Sequence, residues 1–414
     1  MATVVLLGTL DTKGCEYDYL RARVREAGCE VILIDAGVLG RPLAIPDVSR
    51  EEVARAAGAD LAELAARGDR GAAIETMATG ATAIVLDLFR QGRLHGILAL
   101  GGSGGSALAT PAMRALPVGV PKLMVSTLAS GDTRPYVGAS DLAMLYPVVD
   151  IAGINRISER ILTNAAAAIA GMARAYESFR PSAASKPLIA ATMFGVTTHC
   201  VTEARRLLEE RGYEVLVFHA TGTGGQAMEA LVDAGYLAGV LDVTTTELAD
   251  ELVGGVLSAG PQRLEAAGRN GVPQVVSLGA LDMVNFGPID TVPERFRGRT
   301  LYKHNPTVTL MRTTPEECAE LGRIIARKLN QARGPLAVFI PLRGVSMISK
   351  EGGPFYDPEA DRALVENLKA NLRPDIEVHE WDTDINDPAF ARAMAERLDE
   401  LIRARAAARA EVQG

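Results

Sequence analysis

Aromatic side chains are scarce, at 5% of the 414 residues. The cores must therefore be built from Ala, Val, Leu and Ile, which suits helices packed on a parallel sheet better than an all-β sandwich. Cysteine is sparse and unpatterned: Cys15, Cys29, Cys200 and Cys318 form no C-x-x-C pair, which removes zinc-knuckle and thioredoxin-type readings. Free thiols and the lack of a charged leader before the first apolar run point to a reducing cytoplasm. The chain has no basic block and a net charge of −8, so general nucleic-acid binding by phosphate neutralisation is not expected. No apolar run approaches the ~18 residues that span a bilayer, so no membrane partner is expected either.

What is present centres on Ile97 to Ser106, an apolar run that breaks into Gly101-Gly102-Ser103-Gly104-Gly105-Ser106 before a helical pattern from Ala107. Strand, bare backbone and helix start in that order make an anion site, because glycine lets a ligand approach the amides and the helix end is electropositive. The G-K-[ST] ending of a Walker A loop is missing, and no clean G-x-G-x-x-G follows the first strand. The bland alternative is a tight packing turn.

The chain reads as α/β: two open, mostly parallel, Rossmann-like sheets with helices on both faces. Strands are expected at Val4–Leu7, Glu30–Asp35, Ile97–Leu100, Pro121–Thr127 and Tyr146–Asp150, with helices at about 16–27, 50–66, 69–91 and 156–179. Gly8 to Gly14 reads as a polar loop. Pro181 to Pro187 has linker composition and separates a domain 1–180 from a domain 188–414. The pattern then restarts, and Gly212 to His219 echoes Gly28 to Asp35 nearly position by position. Later strands are expected at Leu188–Met193, Gly239–Asp242, Gln274–Leu278, Ala337–Ile340 and Ile376–His379, with a long loop from about Gly279 to Pro306.

Several residues bear on chemistry. Lys13 beside the glycine run would pair a phosphate, and Asp11 could hold Mg²⁺ through water, whereas Asp11 or Thr12 could equally be an ordinary helix cap. Asp35, ending the second strand, could bond a ribose hydroxyl, which raises an NAD(P)-dependent oxidoreductase as a third, weaker reading. Ser130, Asp132 and Asp141 fall in loops expected at the same sheet edge. In the second half, His199, His219 and His304 follow strands, with Asp242, Asp282, Asn285 and Asn305 comparably placed. An acid/base or metal site there competes with plain caps, and no H-x-x-x-H spacing supports a metal. Gly222-Thr223-Gly224-Gly225 is a candidate second anion site.

Gly8 to Gly14, the 101–106 loop, His219 to Gly225 and Lys303 to Thr313 together resemble the Tm-1-like ATP-binding domain family, over nearly the whole chain. The resemblance implies two α/β domains, a homodimer, and ATP with Mg²⁺ in the N-terminal domain. Carried over by motif, the nucleotide contacts are Thr9, Asp11, Lys13, Asp35, Gly101, Gly102, Ser103, Gly104, Gly105 and Ser106; the loop positions Ser130 and Asp132 are added from the pattern, with Asp11 or Asp132 near the metal. Plant members carry a further C-terminal TIM-barrel-like domain, so a separate barrel partner is expected for this chain. Two roles follow: an ATP-dependent enzyme on a small metabolite, with His199, His219 or His304 in acid/base work, or an ATP-gated protein-binding module without turnover.

Overall fold

In the computed structural model, residues 1–180 and 185–413 are described, the side chains of 409–413 excepted. The chain forms two compact units, Met1–Ser182 and Ala183–Gly414. The expected linker lies partly outside the described residues.

The first unit holds β1 (Thr3–Gly8), β2 (Glu30–Asp35), β3 (Gly96–Gly101), β4 (Lys122–Ser126) and β5 (Ala143–Leu145). They pair in parallel in the order β2-β1-β3-β4-β5. Alternation along β1 divides the core. Val5 and Leu7 face the helices Arg70–Arg90 and Ser103–Ala115, while Val4 and Leu6 face the helices Leu10–Glu26 and Arg156–Ser178. A strand buried on both faces must be apolar at successive positions, as the sequence shows. Chain order reverses at β1, which sits between β2 and β3, so the loops leaving β1 and β3 part at their carboxyl ends and open a crevice.

The second unit repeats this plan with β6 (Leu188–Met193), β7 (Glu214–His219), β8 (Leu237–Thr244), β9 (Gln274–Gly279), β13 (Leu336–Pro341) and β14 (Glu377–Trp381), all parallel, in the order β14-β13-β9-β8-β6-β7. Gly28 and Gly212 turn into the second strand of each unit with φ of 84° and 93°. That shared left-handed turn accounts for the echo between the two stretches.

Five expectations need correction. The polar loop at 8–14 is helical from Leu10, with one non-helical residue at Lys13 (φ −127°, ψ 18°). The helix after the glycines begins at Ser103, inside the glycine run, because the backbone there already has helical geometry without side chains to fill it. The last strand of the first sheet is Ala143–Leu145, before rather than within Tyr146–Asp150. The long loop at 279–306 contains β10 (Met283–Phe286) and β11 (Leu301–Asn305), which pair antiparallel with β12 (Val308–Arg312) in a separate three-stranded sheet. Against the expectation of no membrane-length apolar run, the helix Arg70–Arg90 is long and apolar enough to cross a membrane by length and composition. Its Met77, Ala81, Val85 and Leu88 pack in the core.

The second unit is held at its centre by a buried charge cluster. Arg263 is 1% exposed and forks onto Asp242 at 2.5 and 2.7 Å, while its Nε donates to Glu247 at 2.6 Å. Glu229, 3.4 Å from Arg263, accepts the amides of Leu264 and Ala266 at 2.7 Å each. Removing the guanidinium strands several buried carboxylates, so Arg263→Met is expected to cost about 3–5 kcal/mol in urea unfolding. A loss under about 1 kcal/mol would show that the cluster is not structural.

Two further buried carboxyls tie the three-stranded sheet down. Asp250 accepts the backbone N–H of Asn285 at 3.0 Å and its amide at 2.6 Å; Asp282 accepts the Ser346 hydroxyl at 2.8 Å. Burial raises Asp250 to about 7 and Asp282 to about 6. A raised carboxyl stabilises the fold while protonated, a contribution complete below the unfolded value and lost as pH climbs through the folded one. Asp250→Asn removes that loss. Its stability relative to the parent should rise by about 1–3 kcal/mol between pH 5 and pH 8 in urea titrations. A pH-independent difference would contradict this assignment.

Candidate functional site

The crevice between the loops after β1 and β3 is a cavity of about 590 Å³. Its polar end is the start of the helix Ser103–Ala115. Gly102 occupies the cap position, and no side chain caps the helix. The first amides of that helix therefore face the cavity with their positive dipole end. Glycine is required by space as well as by φ: Gly101 has φ 159°, and a Cβ there would lie 2.9 Å from Gly105 Cα.

Two cations line the same volume. Lys13 is brought in by the break in its helix and donates to the Ile151 carbonyl. Arg70 begins the helix Arg70–Arg90, and its Nη2 is 3.2 Å from where a Cβ on Gly104 would stand. Neither has an ion-pair partner among the described residues. The opposite walls are apolar, with Leu64, Ala73, Ile74 and Leu108.

Two carboxylates adjoin the cations. Asp11 lines the cavity and accepts the amides of Leu39 and Gly40 on Oδ2, each at 3.2 Å, while its buried Oδ1 has no partner. Asp35 is fully buried. Its Oδ1 accepts Leu10 at 3.0 Å and Gly37 at 2.9 Å, and its Oδ2 is unpartnered. Both side chains crowd Gly37, where a Cβ would lie 2.8 Å from Asp11 Oδ1 and 3.1 Å from Asp35 Oδ1. Desolvation pushes the Asp35 carboxyl above its ordinary range, against the pull of its two backbone donors, and the nearby Asp11 pushes the same way.

Of the residues singled out in the sequence, Thr9, Asp11, Lys13 and Gly101 through Gly105, Ser103 included, line this cavity. Ser106 does not. Its hydroxyl is buried on the Gly102 carbonyl and on Ser126 Oγ at 2.8 Å, so it locks the turn from behind. Asp35 stands behind Asp11 rather than on the surface. Ser130 is exposed and lines nothing here. Asp132 is held by Arg134 at 2.9 Å, which lowers its carboxyl to about 2, and it is not beside Asp11 in the cavity wall. Asp141 pairs with Lys122 at 2.6 Å. Arg70 and Asp150, which also line the cavity, were missed. Arg70 had a signal: a cation in the first turn of a helix opposes the dipole and calls for a reason.

In the second unit the residues singled out lie on several elements. His199 lies on the helix Thr198–Glu210, His219 ends β7 and His304 lies in β11. All three are exposed, and His219 stacks on Phe194 at 5.4 Å. No hydrogen bond or ring contact joins any two of them among the described residues. Asp242 is taken by Arg263, Asn285 by Asp250, and Asn305 Oδ1 by the Thr307 amide at 2.8 Å. The loop Gly222 to Gly225 has the form of an anion cradle but is already filled. Glu247 accepts the Gly222 amide at 2.7 Å and the Gly225 amide at 3.0 Å. Sequence spacing could not reveal a carboxylate arriving from 22 residues downstream.

Two family descriptions match the chain, the N-terminal domain of uncharacterised protein family UPF0261 over residues 2–178 and its C-terminal domain over 186–402. A UPF0261 protein of Clostridium tetani is 55% identical, covering 95% of this chain and 98% of its own. The ToMV susceptible protein tm-1(GCR26) of Solanum lycopersicum is 40% identical over 96% of this chain but only 55% of its own length, so the chain spans about half of that relative. Among solved structures, a UDP-N-acetylglucosamine 2-epimerase from Rickettsia bellii matches with a TM-score of 0.24 at 11% identity, covering 66% of this chain and 78% of its own, a likeness too slight to bear on function. With both halves matched, the chain belongs to the UPF0261 family, and it is similar to the tomato Tm-1 proteins.

Proposed function

We propose that the first unit binds a nucleoside triphosphate, ATP with Mg²⁺, its phosphates on the amides at Ser103, Gly104 and Gly105 between Lys13 and Arg70. The observation that carries this reading is the convergence of an uncapped helix start and two unpaired cations on one cavity at the point where strand order reverses. The volume suits a ligand of that size, since small-molecule sites run from about 300 to 1,000 Å³. The apolar wall at Leu64, Ala73, Ile74 and Leu108 suits a flat base. Geometry asks for a polyphosphate with an apolar group; adenine is named by the family resemblance.

The carboxylates fit Mg²⁺ as well. Asp11 and Asp35 carry buried oxygens without partners, and Mg²⁺ accepts one or two carboxylates completed by phosphate oxygens and water. Among the described residues no group of three or more His, Cys, Asp or Glu side chains offers a self-sufficient metal site, so phosphate is needed to complete the shell. The ion supplies charge neutralisation of the polyphosphate. Asp11 replaces Asp132 as the carboxylate nearest the phosphates. The Lys13 ammonium and Arg70 guanidinium bind and orient, and Ser106 holds the turn rigid from beneath.

Both roles, an ATP-dependent enzyme acting on a small metabolite and an ATP-gated binding module, belong to this proposal, and His199, His219 and His304, all exposed, are the acid/base candidates of the first. A homodimer, a separate TIM-barrel partner and a cytoplasmic location follow from the resemblance and the reduced thiols, and belong to the same proposal.

Calorimetric titration of the full chain with ATP, ADP, AMP and NAD⁺, with and without Mg²⁺, tests it. One ATP per chain is expected, because Glu247 fills the second cradle. Lys13→Ala and Arg70→Ala should each weaken ATP by about tenfold or more, and AMP less. No binding of any nucleotide would reduce the glycine turn to packing, and NAD⁺ in place of ATP would restore the oxidoreductase reading. Asp11→Asn should remove most of the Mg²⁺ dependence while leaving metal-free ATP binding nearly intact. Unchanged Mg²⁺ dependence would take Asp11 out of the metal shell.

A further inference from the structure

The carboxyl end of β13 opens into a second cavity, of about 690 Å³, that no residue discussed as a nucleotide contact enters. One wall is a single side of the helix Pro358–Asn371. Asp361, Arg362, Val365, Glu366 and Lys369 face it at the three- and four-residue spacing of one helical stripe. The other wall is Leu342 and Arg343, which follow β13, with Glu380 of β14. Leu342 and Tyr356 are 44% and 48% exposed and give it an apolar lining. The carboxyl ends of strands are where open α/β sheets bind ligands.

Most charges in this cavity are satisfied. Asp361 holds Arg312, Lys369 holds Glu380, and Arg343 holds Asp382. Arg362 and Glu366 are different. They stand one turn apart, where opposite charges on a helix ordinarily pair. Neither makes a hydrogen bond or ion pair among the described residues. A cation and an anion held apart over an apolar floor are complementary to a ligand that carries both charges and an apolar group.

We propose that this cavity binds a zwitterion with an apolar side chain, a free α-amino acid or a short peptide. Its carboxylate lies on the Arg362 guanidinium, which matches the planar group with two donors. Its ammonium lies on Glu366, and its side chain lies on Leu342, Tyr356 and Val365. A polyphosphate does not fit, because the lining carboxylates Glu351, Asp361, Glu366 and Glu380 outnumber the cations Arg343, Arg362 and Lys369. The inference is independent of the nucleotide reading.

The test is calorimetry of the full chain with leucine, leucyl-leucine, N-acetyl-leucine and leucinamide. Leucine or leucyl-leucine should bind about tenfold or more tightly than the two forms lacking one charge. Which of the two binds more tightly separates an amino-acid site from a peptide site. Arg362→Ala should erase the preference over leucinamide, and Glu366→Gln the preference over N-acetyl-leucine. Both residues are exposed, so the variants should keep the parent's thermal midpoint. Absence of binding by either zwitterion at millimolar concentration, or unchanged preferences in both variants, would overturn the proposal. Failure here leaves ATP binding in the first unit untouched, and the reverse holds too.

Discussion

An α-helix that begins without a cap leaves amide protons facing whatever lies beyond it, and in the first unit the helix after β3 begins in that state. The rest of its construction follows from this. The helix Ser103–Ala115 starts directly at the end of β3, in backbone that only glycine can adopt at Gly101. Ser106 bonds back to Gly102 and Ser126, so the turn is rigid without any side chain entering the crevice. Orphan amides of that kind are satisfied by caps, water or ligand. Nearby helices show that the sequence caps readily where it is free to: Ser49, Asp60, Asp69 and Asn155 all accept from their own first turns. The helix Leu10–Glu26 also lacks a side-chain bond from its cap residue Thr9, but its first amide is met by Asp35, whereas Gly102 has no side chain to offer.

The second unit also has a helix that opens on glycines, Thr223–Asp233, though it follows the edge strand β7 rather than a strand at the reversal of order. There the protein supplies its own anion, Glu247, and binds that carboxylate to a buried Arg263. A buried ion pair is costly to assemble and costlier to break, so the arrangement fixes the cradle shut. The two glycine-opened helices thus differ in what meets them: a built-in carboxylate at Gly222 and Gly225, and no side-chain cap at Gly102. The comparison also explains why a glycine-rich turn after a strand is weak evidence by itself. The turn specifies a cradle, and only the surrounding side chains decide whether it is vacant.

Local pattern was enough for most strands and for the two-sheet plan. Parallel strands buried on both faces are continuous apolar runs, and Glu30–Asp35, Leu188–Met193 and Gln274–Gly279 could be read almost to the residue. The antiparallel sheet was illegible for a physical reason. Leu301 to Asn305 is largely exposed and polar, so β11 carries neither an apolar run nor a core-facing alternation, and only its two-residue connection to β12 marks it as half of a hairpin. In the cavity, Thr9, Asp11, Lys13 and the glycines were visible because they follow strands that end at the same edge. Arg70 arrives from a helix far along the chain, and Ser106 faces backwards by its position on the first turn, neither of which spacing can encode.

The histidines show the limit most sharply. Three residues of one type invite a common site, but they sit on a helix, on β7 and on β11 of the separate three-stranded sheet, and spacing in the sequence encodes none of those placements. Convergence in a doubly wound fold is guaranteed only for the two loops that flank the reversal of strand order. In the first unit those loops carry Asp11, Lys13 and the glycine turn. In the second, β8 ends at Thr244 and the segment after β6 carries Thr197, and their hydroxyls bond each other at 2.8 Å in full burial. That bond ties the two strand ends together at the reversal of order, where the first unit has its cavity.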